Sequence, residues 1–162
     1  MNRLEESGVI THCGLRTLES EEVHNFNFRA STIPNKIIME AEYLKDAFDE
    51  LDWSSSLVTV TLSPEAPFFR LSTSGPNGSC QVDYPKDSEV FELFECTETQ
   101  SNSFKLTLLQ PAVKALAIAA KSQLRMNQIG VLSMQHMIKS EDKNISFVDF
   151  YIAPEEDTVD TS

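Results

Sequence analysis

Apolar and polar residues alternate along much of the chain with a period of two, and two stretches switch to helical spacing. Residues 23–29 alternate: Val23, Asn25, Asn27 and Arg29 point one way, His24, Phe26, Phe28 and Ala30 the other. That pattern predicts a half-buried strand. Ser31-Thr32-Ile33-Pro34 interrupts it, and a helix is predicted from about residue 35 to 52. Ala41, Leu44, Ala47, Phe48 and Leu51 form its apolar stripe. Four strand-like runs follow, at 57–62, 68–73, 79–84 and 90–96. Ser63-Pro64, Gly75-Pro76-Asn77-Gly78 and Tyr84-Pro85-Lys86-Asp87 separate them with turn chemistry.

The same order then recurs. A strand is expected at 103–108 and a helix at 109–121, with Pro111 in its first turn, where the missing N–H costs little. Val113, Leu116, Ala117 and Ala120 supply its apolar side, and strands are predicted at 122–128, 131–138 and 145–152. Asp142-Lys143-Asn144 makes the last hairpin turn. Short strands in regular succession without helices between them imply antiparallel pairing. The expected fold class is α+β: two helices on one face of a curved antiparallel sheet, with a strand–helix–strands unit duplicated. Before the first unit, residues 9–13 also look like a strand and 17–22 like a polar connector; after the second, 155–162 read as an acidic tail.

Composition narrows the function. At 162 residues and 41% hydrophobic content the chain supports a core and is not of the disordered class. Acidic residues outnumber basic ones 25 to 13, giving a net charge of −12. This disfavours a freely binding nucleic-acid module, although a small basic face remains compatible with DNA contact. The three cysteines, Cys13, Cys80 and Cys96, are scattered and odd in number, which favours a reducing nuclear or cytosolic setting over a disulfide framework. His12, His24 and His136 fall in no ligand spacing, so no metal site and no cofactor are expected.

One arrangement has an enzymatic reading. Glu42, Asp46 and Asp49 lie at i, i+4 and i+7 of the first helix and could serve a divalent-metal nuclease, which the family resemblance given below would narrow to a metal-dependent 3'-5' DNA exonuclease. Carboxylates on one helical stripe diverge, however, whereas two-metal sites gather ligands from separate elements. No catalytic residue is therefore assigned, and no phosphate loop or nucleophile motif accompanies the stripe.

The duplicated unit and the closing Phe147-Val148-Asp149-Phe150-Tyr151-Ile152-Ala153-Pro154 resemble sliding clamps of the proliferating-cell-nuclear-antigen type. Asn35-Lys36-Ile37-Ile38, Phe69-Arg70-Leu71-Ser72-Thr73, Asp83-Tyr84-Pro85-Lys86-Asp87-Ser88 and Lys114-Ala115-Leu116 are similar to the C-terminal half of the Rad-one subunits of the heterotrimeric DNA-damage checkpoint clamp, the nine-one-one complex. The resemblance implies a non-enzymatic subunit that joins two other clamp subunits in a ring. A clamp loader would place the ring around double-stranded DNA in the nucleus, where it would recruit checkpoint and repair proteins. It implies that residues 1–22 are the remnant of a preceding clamp domain and its connector, 23–154 the C-terminal clamp domain and 155–162 a tail, as in a truncated form.

Site residues follow from the same resemblance. Lys36 and Lys45, with Lys114 and Lys121 on one stripe of the second helix, would face DNA. Tyr151, Ile152 and Pro154 would border a groove for client peptides. The edge strand containing Ser79, Cys80, Gln81, Val82, Asp83 and Tyr84 would join the neighbouring subunit.

Overall fold

A computed structural model describes Phe28 and residues 32–156. The strand expected at 9–13, the connector, the tail beyond 156 and nearly all of the strand expected at 23–29 lie outside the described residues. Phe28 itself is helical, not extended.

The first described element is strand β1 (Asn35–Glu40), where a helix was expected. Asn35, Ile37 and Met39 are buried and alternate with Lys36, Ile38 and Glu40, the period of a strand. Every residue of the predicted helical stripe lies at Ala41 or beyond, so nothing in 35–40 demanded helix. Helix α1 (Ala41–Asp49) accordingly begins at the first stripe residue and buries Ala41, Leu44, Ala47 and Phe48.

Strands β2 (Leu57–Leu62), β3 (Phe69–Gly75), β4 (Gly78–Tyr84), β5 (Phe91–Cys96) and β6 (Gln100–Lys105) follow. Helix α2 (Leu106–Ala115) starts three residues earlier than expected and runs into a 3-10 turn, Leu116–Ile118. Its buried residues are Leu106, Leu109 and Ala112, so Pro111 lies inside the helix and not in its first turn. Lys121 opens strand β7 (Lys121–Met126); β8 (Leu132–Lys139) and β9 (Ile145–Ile152) complete the described elements.

The strands divide between two antiparallel sheets, a five-stranded one ordered β5-β1-β7-β8-β9 and a four-stranded one ordered β4-β3-β2-β6. The inward rows of both sheets and the buried sides of both helices share one core. Ile37, Met39 and Leu124 from one sheet meet Val58, Val60, Leu71 and Phe104 from the other, with Leu44, Phe48 and Leu109 from the helices. Burying each large side chain stabilises by about 1.5–3 kcal/mol before entropic costs. Aromatic rings tie the sheets together: Phe69 of β3 lies 6.1 Å from both Tyr84 of β4 and Phe91 of β5, and Phe91 lies 5.1 Å from Phe94.

His136 fastens α2 to the five-stranded sheet. It is fully buried, with Nε2 2.8 Å from the Ala112 carbonyl and Nδ1 2.7 Å from Ser122 Oγ. A carbonyl only accepts, so Nε2 carries the proton and Ser122 donates to Nδ1. The ring is thus fixed as the neutral tautomer, and burial lowers its pKa from 6.5 against smaller opposing effects of the Ala112 carbonyl and Asp149. A depressed folded-state pKa means that the unfolded chain takes up the proton first. The stabilisation is complete above about pH 6.5 and is lost as pH falls below it, with a slope approaching about 1.4 kcal/mol per pH unit. Denaturant melts between neutral pH and about pH 5 should show this slope in the parent and a flatter profile in His136→Gln.

Candidate subunit interface and DNA-facing surface

The Gly75–Gly78 turn, with Gly78 at φ +118°, folds β4 back on β3. β3 is the only strand that pairs with β4 among the described residues, which leaves its other edge open over seven residues. Ser79, Gln81 and Asp83 are exposed; Cys80, Val82 and Tyr84 are half-buried and rest on the core. Asp83 accepts two hydrogen bonds from Arg70 of β3, at 2.7 and 3.0 Å, which bridge the two strands on the outward side of the hairpin. The edge carries no lysine and no proline, the residues that commonly block edge-to-edge association.

The remaining edges differ in character. β5 presents Glu92 and Glu95, ion-paired to Lys121 and Lys36. On β6, the Ser103 carbonyl accepts the Glu155 N–H at 2.7 Å, so the chain after β9 covers part of that edge. β9 is the other outermost strand of the five-stranded sheet.

The four lysines expected to face DNA do not share a surface. Lys45 lies on α1 and pairs with Asp49 at 3.1 Å. Lys114 is exposed on α2 and makes no ion pair among the described residues. Lys36 and Lys121 occupy the row of the five-stranded sheet turned away from the core, opposite the row that meets the helices. Lys121 is a strand residue, so the stripe expected to join it to Lys114 does not exist. The reason is the early start of α2, which exhausts the helix before residue 121.

The exposed side of α1 carries Glu42, Tyr43, Asp46, Asp49 and Glu50. Its only lysine is already paired. No cluster of three or more potential metal ligands occurs among the described residues.

The three expected groove residues also separate. Ile152 is 5% exposed and belongs to the core, whereas Tyr151, its neighbour along β9, is half-buried on the other side of the sheet. Adjacent strand residues face opposite sides of a sheet, so both could not line one groove. Tyr151 instead packs at a tilt against Phe28, ring centroids 5.5 Å apart and planes 59° to each other, and the Arg125 guanidinium lies 4.9 Å from the same Phe28 ring. Pro154 sits beside Gly130, where a Cβ would come within 3.2 Å of its ring. Phe28 and Arg125 were not anticipated; only contacts distant in sequence bring them to Tyr151.

Comparison with known proteins agrees with the architecture. The family model described as "Repair protein Rad1/Rec1/Rad17" matches residues 2–138. The human cell cycle checkpoint protein RAD1 is 47% identical over 154 residues, covering 95% of this chain and 55% of that protein. The DNA damage checkpoint control protein rad1 of Schizosaccharomyces pombe is 36% identical over 152 residues, covering 93% and 47%. The chain thus spans about half the length of the curated relatives it matches. Among solved structures, PCNA from Thermococcus kodakaraensis superposes with a TM-score of 0.61 at 18% identity, over 76% of this chain and 48% of that one. That likeness shows the fold, which is the α+β fold of a sliding clamp. With the family model covering most of its length and relatives this similar, the chain belongs to the Rad1 family of checkpoint and repair proteins.

Proposed function

We propose that this chain acts as a non-enzymatic subunit of a DNA-encircling checkpoint clamp. It joins two other clamp subunits in a heterotrimeric ring in the nucleus, is placed on double-stranded DNA by a clamp loader, and recruits signalling and repair proteins. The observation that carries this reading is the open β4 edge, free of lysine and proline, on a clamp fold in a Rad1-family chain. A strand edge with unpaired N–H and C=O groups is satisfied by a partner strand.

The helices fit a topological mode of action better than a tight grip. Lys114 stands free to meet phosphate, but α1 turns four carboxylates outward beside one paired lysine. Affinity for duplex DNA depends on neutralising phosphates, so the chain alone should bind it weakly and encirclement would do the holding. Lys36 and Lys121 would then act as partners of Glu95 and Glu92 and not as DNA contacts.

The exonuclease reading would require Glu42, Asp46 and Asp49 to converge on a metal. The purified chain, given magnesium or manganese and 3'-labelled DNA, should show no cleavage above that of a mock purification. Cleavage that survives repurification and disappears in Asp46→Asn or Asp49→Asn would replace the scaffold reading with the enzymatic one.

A further inference from the structure

One end of the five-stranded sheet carries two cations side by side. Lys36 of β1 lies opposite Arg125 of β7 in the strand register, and Glu95 of β5 lies opposite Lys36 on its other side. All three stand on the row turned away from the core. Like charges directly opposite one another in a sheet repel. Two cations against one carboxylate leave this end positive on a chain whose net charge is −12. The pairing is also incomplete. Lys36 reaches Glu95 only at 3.8 Å. Arg125 makes no ion pair among the described residues. Its guanidinium lies over Phe28, Nη2 donates to Ser133 Oγ at 3.2 Å, and Nε is buried without an acceptor. Between these side chains opens a cleft of about 230 Å³, lined by Lys36, Arg125, Glu95, Thr97, Ile33 and Pro34.

We propose that this cleft binds a phosphoryl group carried by a serine or threonine of a partner peptide. The site is independent of the clamp reading, since it involves neither β4 nor the helices. A guanidinium meets phosphate oxygens with a planar fork, and an ammonium adds a point charge beside it. A carboxylate would gain little, because Lys36 already faces one in Glu95. A phosphate of nearly two charges and three acceptor oxygens displaces that carboxylate. The volume is below that of sites for drug-sized ligands and suits a single such group. Ile33 and Pro34 give apolar contact to the residue next to it. Duplex DNA fits less well, because its affinity comes from neutralising a run of phosphates. Here Glu92, Glu95 and Glu98 are exposed along β5 and the loop after it, where such a run would have to continue.

The test titrates the full, isotope-labelled chain with N-acetyl-O-phosphoserine amide and follows the backbone amides by NMR. N-acetylglutamate amide and a short DNA duplex serve as comparison probes. The amides of Lys36, Thr97 and Arg125 should shift together and saturate. Binding should be tighter at about pH 7 than at about pH 5, because the second phosphate ionisation lies near pH 6. Arg125→Gln and Lys36→Gln should each weaken it about tenfold, as for one lost charge-assisted hydrogen bond. Glu95→Gln should tighten it, and Lys114→Gln should leave it unchanged. If Arg125→Gln does not fold, Lys36→Gln and Glu95→Gln decide the matter, because both side chains reach solvent. Shifts that do not saturate, or a loss in Lys114→Gln equal to that in Lys36→Gln, would mean diffuse charge and overturn the site. Equal binding of the glutamate probe would overturn the phosphoryl assignment. Tighter binding of the duplex at the same amides would replace the peptide with nucleic acid.

Discussion

Gln81→Pro is expected to abolish stable association of this chain with neighbouring clamp subunits while leaving its fold intact. Gln81 stands at the middle of β4, exposed and opposite Ser72 of β3. Proline there removes one ladder donor and places a ring where a partner strand must approach. Edge strands tolerate proline when they remain edges, so the cost to folding is small. As an inner strand of a joined sheet, β4 would not tolerate it. Val82→Pro is the poorer choice because Val82 also rests on the core. Size-exclusion chromatography and pull-down with the other subunits, alongside far-UV circular dichroism, separate loss of assembly from loss of fold.

Phe69→Ala is expected to destabilise the domain by about 3–5 kcal/mol. Phe69 is fully buried, stacks on Tyr84 and meets Phe91 edge-on, so one ring links β3, β4 and β5 across the two sheets. Its removal leaves a cavity that backbone pairing on both sides prevents from collapsing. Because a domain of this size is stable by only about 5–15 kcal/mol, the loss is a large share of the whole. It also removes the support of Tyr84, so the edge strand should fray at that end. Urea unfolding would measure the first effect, through a lower midpoint with an unchanged slope. Exchange of the Tyr84 amide would measure the second.

The sequence was most readable where alternation ran uninterrupted between turn signals. β2 and β9 were expected at their observed limits, 57–62 and 145–152. In β4 the Gly-Pro-Asn-Gly turn and the alternation of Ser79, Gln81 and Asp83 with Cys80, Val82 and Tyr84 indicated the strand and its orientation. Errors arose where two signals competed. Asn35–Glu40 was read as the start of α1 because it follows the break at Ser31-Thr32-Ile33-Pro34 and leads into the helical stripe, yet pairing with both β5 and β7 makes it a central strand. Pro111 was placed in the first turn of α2. The actual start is fixed by Leu106 and Leu109 reaching the core, and tertiary burial outweighed the local proline preference.

The candidate site was less legible than the fold. Which lysines share a face depends on where helix gives way to strand, so the error at the end of α2 moved Lys121 across the sheet. The separation of Tyr151 from Ile152 was implicit in strand geometry. The Phe28–Tyr151 and Arg125–Phe28 contacts were not, because no local pattern specifies them. The sliding-clamp family itself came from resemblance in short stretches such as Asp83-Tyr84-Pro85-Lys86-Asp87-Ser88; periodicity alone indicated only α+β with antiparallel strands.

Backbone amide exchange of β4 is the most direct measure of whether this chain is a ring subunit joined through that edge. In the chain alone, the amides of residues 78–84 that point away from β3 should exchange quickly, because among the described residues no strand pairs with that side. On mixing with the other two clamp subunits, those amides should become protected while β3 and the core strands hardly change. Assembly that leaves 78–84 exchanging at the free rate, or that protects a different edge instead, would contradict the account.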